Sequence, residues 1–520
     1  MQIHSPSTLR SRILDESEIA IVDVREQGAF SEGHPLHAVN IPLSRLDLVV
    51  RDLIPRLTTP VVLIDDPQQD AFAERAKVLL LEMGYTDVAL LEGGIAAWSE
   101  AGQEVFSGVN VPSKAFGEFV EHTYDTPRLE AQRVKELLDR NENMVIVDSR
   151  PFPEFHRMSI PSGTDMPGAE LVYRIHDLAP DPETLVVVNC AGRTRSIIGA
   201  QSLINAGIPN HVVALKDGTM GWHLAGFELA HGSERRADKP SKAGHDKAKQ
   251  AATRVAERFG VSSADRQTVA EWLSDPGRTT YLLDVRSPEE FAAGTEAGYR
   301  NAPGGQLVQA TDEYVAVRNA RLVLADDDGV RATMTASWLI QMGWRDVFVL
   351  EGGLANLTSN TDHAGAPNPH SISVHDLEAR LKELGIIDLS TSPEYERNHI
   401  PNAIWTVRAR LAEAVAKCGN GKDIVLTCPD GQLAQHAVGE VSAMTESHVF
   451  ALAGGTAAWS AASLPMESGL THTVGALDDV WYKPYDHKGN QESFMQAYLT
   501  WEVALVEQIE RDGTTKFRAF

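Results

Sequence analysis

The chain has 520 residues, more than a single hydrophobic core usually supports, so several domains are expected. Hydrophobic residues make up 43% and charged residues 23%, which is typical of soluble globular proteins and excludes fibrous and disordered chains. The formal net charge of −25 repels phosphate backbones and anionic lipid surfaces, so neither nucleic acid nor a membrane is expected as a partner.

The sequence also predicts a cytoplasmic location. Its apolar runs are too short to cross a bilayer, and its first residues lack the apolar region of a secretory signal. The three cysteines, Cys190, Cys418 and Cys428, are too few for a disulfide framework and form no CxxC pair. We therefore expect reduced thiols.

A motif of buried strand, aspartate, turn and helix occurs four times along the chain. Its aspartates are Asp23, Asp148, Asp284 and Asp388. They are separated by the length of a domain rather than that of a solenoid repeat. Four tandem domains are predicted.

Each copy then continues with a second apolar strand, an amphipathic helix and a closing motif of glycines before a short helix. The closing motif ends on an apolar residue, which is Trp98, Trp222, Leu357 or Trp459. This alternation predicts α/β domains, each with a mostly parallel sheet flanked by helices. Ligands of such domains bind beyond the carboxyl ends of the strands.

Composition predicts the domain limits. The four domains are assigned to residues 1–108, 109–231, 256–366 and 367–470, with a charged linker and helix at 232–255 and a C-terminal extension at 471–520. The break between the third and fourth copies is placed near Pro367.

The C-terminal extension carries an apolar stripe at helical spacing, formed by Phe494, Tyr498, Trp501, Leu505 and Ile509. We expect this helix to cover an exposed face of the repeats. The alternative is that the extension binds a protein partner or a second copy of the chain.

The aspartate motif, the loop Cys-Ala-Gly-Arg-Thr-Arg-Ser at residues 190–196 and the glycine motif together resemble the rhodanese family of sulfurtransferases. The resemblance extends to about residue 470. It implies a rhodanese-like fold for all four domains, and an intact cysteine loop only in the second.

The cysteine loop, residues 190–196, joins an apolar strand to a helix. A thiol attacks as its thiolate, and the N-terminal end of a helix can lower the thiol pKa. Backbone N–H groups of this loop can converge on an anion, and two arginines add positive charge. Cys190 is therefore the predicted nucleophile, and the predicted substrate-binding residues are Ala191, Gly192, Arg193, Thr194, Arg195 and Ser196. A buried, inert cysteine is the alternative, but two arginines so close to it argue against that interpretation.

The other copies differ at the cysteine position. Alignment on the same strand places Asp65, Asp326 and Cys428 opposite Cys190. A carboxylate accepts no sulfur, so the first and third domains are predicted to be silent. In the fourth, Leu433 stands where the loop arginine is expected and Pro429 removes an N–H donor, which indicates a degenerate loop.

Asp148 and Arg150 form an Asp-x-Arg pattern that silent copies keep, so a supporting ion pair is expected rather than catalysis. Histidines are scattered without metal-ligand spacing, and nucleotide-binding glycine motifs are absent. Neither a metal nor a cofactor is expected.

The resemblance implies a sulfurtransferase. In the family mechanism the Cys190 thiolate takes a sulfane sulfur from an anionic donor, with thiosulfate favoured, and holds it as a persulfide. A thiophilic acceptor, cyanide or a thiol, then removes it. The physiological donor and acceptor stay open.

Two other functions remain open at this point. Related folds act as phosphatases or arsenate reductases, with five residues between cysteine and arginine. Only four separate Cys190 from Arg195, which favours sulfur. The second alternative is a largely non-catalytic sulfur-binding scaffold, suggested by the silent domains and the aromatic extension.

Overall fold

A computed structural model describes residues 2–66, 71–358, 370–418 and 421–520. Within these residues the chain forms four sheets whose strands are mostly parallel and are flanked by helices. Each sheet has the same order, in which the first strand of the domain lies at one edge and the aspartate-motif strand lies near the other. The predicted fold class is confirmed. The break predicted near Pro367 lies outside the described residues.

The first domain has strands in the order β1-β5-β4-β2, with β3 beside β2. Its strands are β1 (Ile3–His4), β2 (Ile19–Asp23), β3 (Val39–Asn40), β4 (Val61–Ile64) and β5 (Val88–Leu91). Its helices are α1 (Pro6–Leu14), α2 (Gln27–Glu32), α3 (Leu46–Leu53), α4 (Phe72–Glu82) and α5 (Gly94–Glu100). Helix α6 (Val111–Tyr124) leads to the second domain.

The second domain is built around a parallel sheet of order β6-β10-β9-β7-β8. Its strands are β6 (Arg128–Leu129), β7 (Met144–Asp148), β8 (Thr164–Asp165), β9 (Leu185–Asn189) and β10 (Val212–Leu215). Its helices are α7 (Ala131–Asp139), α8 (Phe152–Arg157), α9 (Glu170–Leu178), α10 (Thr194–Ala206) and α11 (Gly218–Leu224). Helix α12 (Lys242–Phe259) follows it.

The third domain has the parallel order β11-β16-β15-β12-β13. Its strands are β11 (Ser262–Ala264), β12 (Thr280–Asp284), β13 (Arg300–Asn301), β14 (Val317–Arg318), β15 (Arg321–Ala325) and β16 (Val347–Leu350). Its helices are α13 (Arg266–Leu273), α14 (Pro288–Ala293), α15 (Gly304–Gln309), a 3-10 turn (Thr311–Glu313) and α16 (Val330–Gln341). The short helix predicted after the closing glycines of this copy is wrong for the described residues 351–358, which form turns instead.

The fourth domain has the parallel order β17-β21-β20-β18-β19. Its strands are β17 (Ser371–Ile372), β18 (Gly385–Asp388), β19 (Ile404–Trp405), β20 (Ile424–Thr427) and β21 (Val449–Leu452). Its helices are α17 (Val374–Ala379), α18 (Ser392–Arg397), a 3-10 turn (Arg408–Arg410), α19 (Leu411–Cys418), α20 (Gln432–Ser442) and α21 (Gly455–Ala461). The extension holds a 3-10 turn (Pro484–Asp486) and α22 (Gln491–Asp512).

The central strands are buried on both faces, as their sequences require. Strand β2 is Ile-Ala-Ile-Val-Asp, and all five residues are buried. Continuous apolar runs of this kind are typical of parallel strands covered by helices on both sides. The apolar residues on one side of these strands form a cluster that is shared between domains and includes Val22, Leu283 and Ile386.

Two elements join the domains. Strand β14 of the third domain pairs in antiparallel fashion with β2 of the first, which extends that sheet across a domain boundary. Helix α12 packs between α9 and α16, and its buried face includes Ala248, Ala251, Val255 and Phe259. The predicted charged linker thus ends in a helix that connects the second and third domains.

Helix α22 of the extension packs along α6, and both helices lie beside the second domain. Its buried residues are Met495, Leu499, Glu502, Leu505, Ile509 and Asp512. Phe494, predicted on the same stripe, is 40% exposed and stacks on His487 instead. The helix covers the repeats, as expected. Among the described residues, no helix combines the length and apolar character needed to cross a bilayer.

Candidate active site

Cys190 lies directly after β9 and four residues before the start of α10, at the carboxyl end of the second sheet. It is 2% exposed. The Cys190 thiol donates a hydrogen bond from Sγ to the Oγ of Ser196 at 3.5 Å. The Ser196 hydroxyl in turn donates to the Arg193 carbonyl. The loop thus places the sulfur at the N-terminal end of α10.

The cysteine loop is held in place by the first turn of α11. The carbonyls of Cys190 and Ala191 accept hydrogen bonds from the N–H groups of Thr219 and Met220. Gly218 makes this contact possible, because it has φ of +56° and a Cβ there would stand 2.3 Å from the Cys190 carbonyl oxygen. The glycine motif therefore allows close packing against the cysteine loop.

The pKa of the Cys190 thiol differs from the sequence prediction. Burial raises it above the ordinary value, while the Arg195 charge and hydrogen bonding with Ser196 lower it only in part. In this closed arrangement the cost of desolvating a thiolate exceeds the stabilisation that the loop supplies. The neutral thiol is therefore the favoured form in this arrangement.

Arg195 is held by Glu154, the third residue of α8. Its Nη1 and Nη2 donate to the two carboxylate oxygens at 3.2 and 2.8 Å. Burial alone would raise the pKa of Glu154, but the charge and hydrogen bonds of Arg195 lower it to about 2. Lys483 of the extension lies 3.5 Å from the same carboxylate. The positive charge of Arg195 thus stays beside Cys190 in a fixed position.

Arg193 is engaged by three carboxylates. Its Nε and Nη2 donate to Glu118 at 2.7 Å each, Nη2 also reaches Glu121, and Nη1 reaches Asp217 at 3.2 Å. These contacts tie the loop to α6 and to the α11 turn. Binding of substrate by Arg193 stays a prediction.

The remaining loop residues face the C-terminal extension. Thr194 Oγ1 donates to Glu502 of α22, and a Cβ on Gly192 would lie 2.8 Å from Met220 and 3.5 Å from Tyr498. Ala191 belongs to an apolar cluster that the extension completes, with Met158, Met220, Tyr485, Met495 and Leu499. The extension therefore forms one wall of the candidate site.

Asp148 and Arg150 have the same geometry as their counterparts in silent domains. Arg150 binds both oxygens of Asp148 at 2.8 Å and the Met158 carbonyl at 2.6 Å. Arg25 and Arg286 bind their own aspartate and a carbonyl eight residues onward in the same way. The pair fixes the turn after the strand in these three domains.

In the third domain the loop binds its own carboxylate. Asp326, at the cysteine position, accepts hydrogen bonds from the backbone N–H groups of Asp328, Gly329, Arg331 and Ala332. Burial raises its pKa to about 6. The N–H groups of this loop thus converge on an anion at the position that Cys190 occupies in the second domain.

The first and fourth domains lack the charge arrangement of the second. Asp65 accepts a hydrogen bond from the Ala73 N–H at 2.8 Å. Cys428 lies 3.5 Å from the Asp430 carboxylate, and burial together with that negative charge raises its thiol pKa to about 11. Such a thiol is a poor source of thiolate.

Sequence reasoning missed several residues of this site. Glu154 could have been found from the repeat. In two copies a glutamate six residues after the aspartate occurs together with the loop arginine, as Glu154 with Arg195 and as Glu290 with Arg331. The sequence contains no comparable pattern for Glu118 and Glu502, since α6 and α22 lie outside the repeat. In the described part of the chain, no group of His, Cys, Asp or Glu side chains has an arrangement that could hold a metal ion.

Comparison with known proteins identifies the class. The sequence profile of the rhodanese-like domain matches residues 5–101, 130–225, 265–360 and 373–462. The chain therefore belongs to the rhodanese family and contains four rhodanese-like domains, as the motifs predict.

The whole chain is also similar to a solved structure, thiosulfate sulfurtransferase from Pseudomonas aeruginosa. The two share 47% identity over 100% of both chains, with a TM-score of 0.93. Two curated relatives, both named tRNA uridine(34) hydroxylase, come from Bordetella pertussis and Bordetella bronchiseptica and are 30% identical over 114 residues. That match covers 20% of this chain and 46% of each relative, so the chain spans about half the length of those proteins.

Proposed function

We propose that the protein is a sulfurtransferase in which Cys190 carries the transferred sulfur as a persulfide. Thiosulfate is the favoured donor, and cyanide or a thiol is the acceptor. The observation that carries the proposal is the second domain's cysteine loop, with a thiol at its centre and a fixed arginine beside it. The thiosulfate sulfurtransferase that matches over the full length adds support.

The third domain supports anion binding by the second. There, four backbone N–H groups bind the carboxylate of Asp326, which occupies the cysteine position. The cysteine loop of the second domain has the same length and also lies between a strand and a helix, although Arg193 before α10 has φ of −115° where Gly329 before α16 has φ of +83°. We propose that its N–H groups likewise bind a persulfide sulfur or an anionic donor. A loop that already holds its own carboxylate has no place for sulfur, so the third domain is silent in this proposal.

The first step forms the persulfide. The Cys190 thiolate attacks the sulfane sulfur of thiosulfate, a new S–S bond forms, and the bond to the sulfonate sulfur breaks. The electron pair of that bond leaves with sulfite, and Cys190 retains a persulfide anion. Arg195 and the loop N–H groups stabilise the negative charges on both sides of the step.

The second step regenerates the free Cys190 thiolate. Cyanide or a thiolate attacks the outer sulfur of the persulfide, and the S–S bond to Cys190 breaks. Its electron pair stays on Sγ, which regenerates the thiolate and releases thiocyanate or a new persulfide. Both steps balance without a metal or organic cofactor.

Access to the cysteine requires movement. Because Cys190 is almost fully buried, thiosulfate reaches Sγ only when side chains over the loop shift, and the extension supplies several of them. Opening also hydrates the thiol and lowers its pKa toward the ordinary value. The proposal places the enzyme in the cytoplasm, where thiols stay reduced.

The test is thiocyanate formation from thiosulfate and cyanide by the full chain. We expect turnover that the Cys190→Ser variant lacks. Release of phosphate from aryl phosphates, without uptake of sulfur from thiosulfate, mercaptopyruvate or glutathione persulfide, would overturn the proposal in favour of phosphatase chemistry. Sulfur uptake without transfer to cyanide or any thiol would indicate a sulfur-binding scaffold.

A further inference from the structure

Glu502 places a buried carboxyl group at the cysteine loop. The residue lies on α22, outside the four repeats, and is 1% exposed. Its Oε1 accepts a hydrogen bond from the Thr194 hydroxyl. Its Oε2 is buried without a hydrogen-bond partner in the described structure and lies 3.4 Å from the place where a Cβ on Gly192 would stand. One oxygen is thus fixed, and the other faces the loop.

The charged groups near Glu502 on α6 and the cysteine loop form their hydrogen bonds with other partners. On α6, Glu118 is already paired with Arg193, and the Lys114 ammonium donates to the Val109 carbonyl. That ammonium also lies within 6 Å of the rings of Trp481, Tyr498 and Trp501.

The pKa of Glu502 reflects these surroundings. Burial raises it most, the hydrogen bond from Thr194 lowers it, Glu118 raises it, and the charges of Lys114 and Arg193 lower it, so that the pKa is about 7. Cys190 feels the same carboxyl group, because a negative charge on Glu502 raises the thiol pKa. The carboxyl group is therefore poised between its two forms near neutral pH.

The two forms have opposite effects on an anion in the loop. An ionised Glu502 would place an unpartnered negative charge beside a dianionic donor and a thiolate. In a neutral Glu502 the proton belongs on Oε2, since Thr194 already donates to Oε1, and Oε2 is the oxygen that lies near Gly192 of the loop. Only the neutral form is compatible with tight anion binding.

We propose that Glu502, in its neutral form, is a hydrogen-bond donor to the anion bound in the cysteine loop, so that the C-terminal extension supplies a substrate-binding residue. This inference rests on the proposed function. Thiosulfate affinity then requires a proton on Glu502. Above the carboxyl pKa the affinity falls with pH, approaching tenfold per pH unit, and the proton uptake per thiosulfate bound rises with pH toward one.

The experiment measures thiosulfate binding to the full chain by calorimetry between pH 6 and 8, in two buffers of different ionisation enthalpy. The Cys190→Ser background prevents reaction and removes the thiol titration. In that background we expect the dissociation constant to rise as pH increases through 7, with proton uptake. Adding Glu502→Gln keeps a donor of the same shape that cannot ionise, so the rise of the dissociation constant through pH 7 and the proton uptake that accompanies it should both disappear.

A matched control exists in the silent first domain. Glu26 is also a buried carboxyl group, burial raises its pKa to about 7, and it accepts a hydrogen bond from the Ser44 hydroxyl. Glu26→Gln should leave both the affinity and its pH dependence unchanged. Burial lowers the pKa of Lys114 to about 8. The loss of its positive charge near pH 8 should lower the thiosulfate affinity of all variants equally.

A second variant keeps the test independent of the folding of Glu502→Gln. Thr194→Val removes the hydrogen bond that lowers the pKa of Glu502, so the loss of affinity should move to higher pH. An unchanged pH dependence in Glu502→Gln, while wild type still takes up sulfur, would overturn this inference alone. Absence of thiosulfate binding at every pH, together with no sulfur uptake by wild type, would overturn the proposed function as well.

Discussion

Arg195 donates two hydrogen bonds to Glu154, and Arg331 at the same position of the third domain binds the corresponding Glu290 at 2.7 Å. The pair is therefore a structural feature of the repeat, present whether or not a thiol stands at the start of the loop. The two domains differ in the residue at the start of the loop, which is Cys190 in the second domain and Asp326 in the third. A fixed arginine is necessary for the proposed reaction but does not by itself make a domain active.

Replacing the nucleophile should stop turnover. Cys190→Ser removes the thiolate that carries sulfur while it keeps nearly the same volume, so we expect no thiocyanate formation and an unchanged thermal midpoint. Cys428→Ser is the matched control and should retain full activity, since its thiol pKa of about 11 disfavours the thiolate. Equal losses in both variants would contradict a single working site.

The two loop arginines should differ in their effect on donor use. Arg195→Ala loses a charge beside the donor, so kcat/KM for thiosulfate should fall by one to two decades, as expected for roughly 1.5–3 kcal/mol. Arg193→Ala should have a smaller effect on donor use. Both substitutions should lower the thermal midpoint, because Arg195→Ala leaves Glu154 and Arg193→Ala leaves Glu118 without its cation. Wild-type kcat/KM in Arg195→Ala at subsaturating thiosulfate would refute the role of Arg195.

Glu154 should contribute stability that acid removes. Its pKa is about 2 in the folded chain against 4.5 ordinarily, so its contribution is complete above pH 4.5 and is lost as pH falls toward 2. At neutral pH the unfolding free energy of Glu154→Gln should be lower than that of wild type by roughly 3 kcal/mol, and the difference should vanish in acid. A difference that is constant from pH 7 to pH 3 in denaturant titrations would contradict this reading.

Equivalent glycines contact the cysteine loops of the second and fourth domains and provide a matched pair of variants. A Cβ on Gly218 would stand 2.3 Å from the Cys190 carbonyl oxygen, and one on Gly455 would stand 2.1 Å from that of Cys428. Both substitutions to alanine also strain a left-handed backbone, at a cost of about 1–3 kcal/mol each. Gly218→Ala should lower thiosulfate turnover more than tenfold, whereas Gly455→Ala should reduce stability and leave turnover intact.

Kinetics and thermal unfolding of the two glycine variants give the check. Comparable turnover in Gly218→Ala and Gly455→Ala would show that the position of the Cys190 carbonyl has no bearing on the reaction.

Much of the fold is readable from the sequence because the signal is local. A strand such as β2, buried along its whole length, and the glycine turn before each short helix repeat often enough to fix the domain class. The pairing of β14 with β2 is different. It joins two residues of the third domain to the first, and nothing in so short a segment indicates a partner some 300 residues away.

The candidate site also contains some residues that the sequence predicts and others that it does not. The cysteine loop is contiguous, so its nucleophile and its arginines could be proposed from sequence. Glu118 and Glu502 reach the loop only because α6 and α22 pack beside α10, and tertiary packing leaves no local pattern. The thiol pKa was mispredicted for the same reason, since the burial that raises it comes from distant elements.

The central claim is that one cysteine of the four domains carries sulfur. Intact-mass analysis of the full chain after thiosulfate, followed by peptide mapping, measures this directly. The account predicts one additional sulfur atom per chain, located on Cys190 and removed by cyanide or dithiothreitol. Stable sulfur on Cys428, or a chain that gains no sulfur while it consumes thiosulfate, would contradict it.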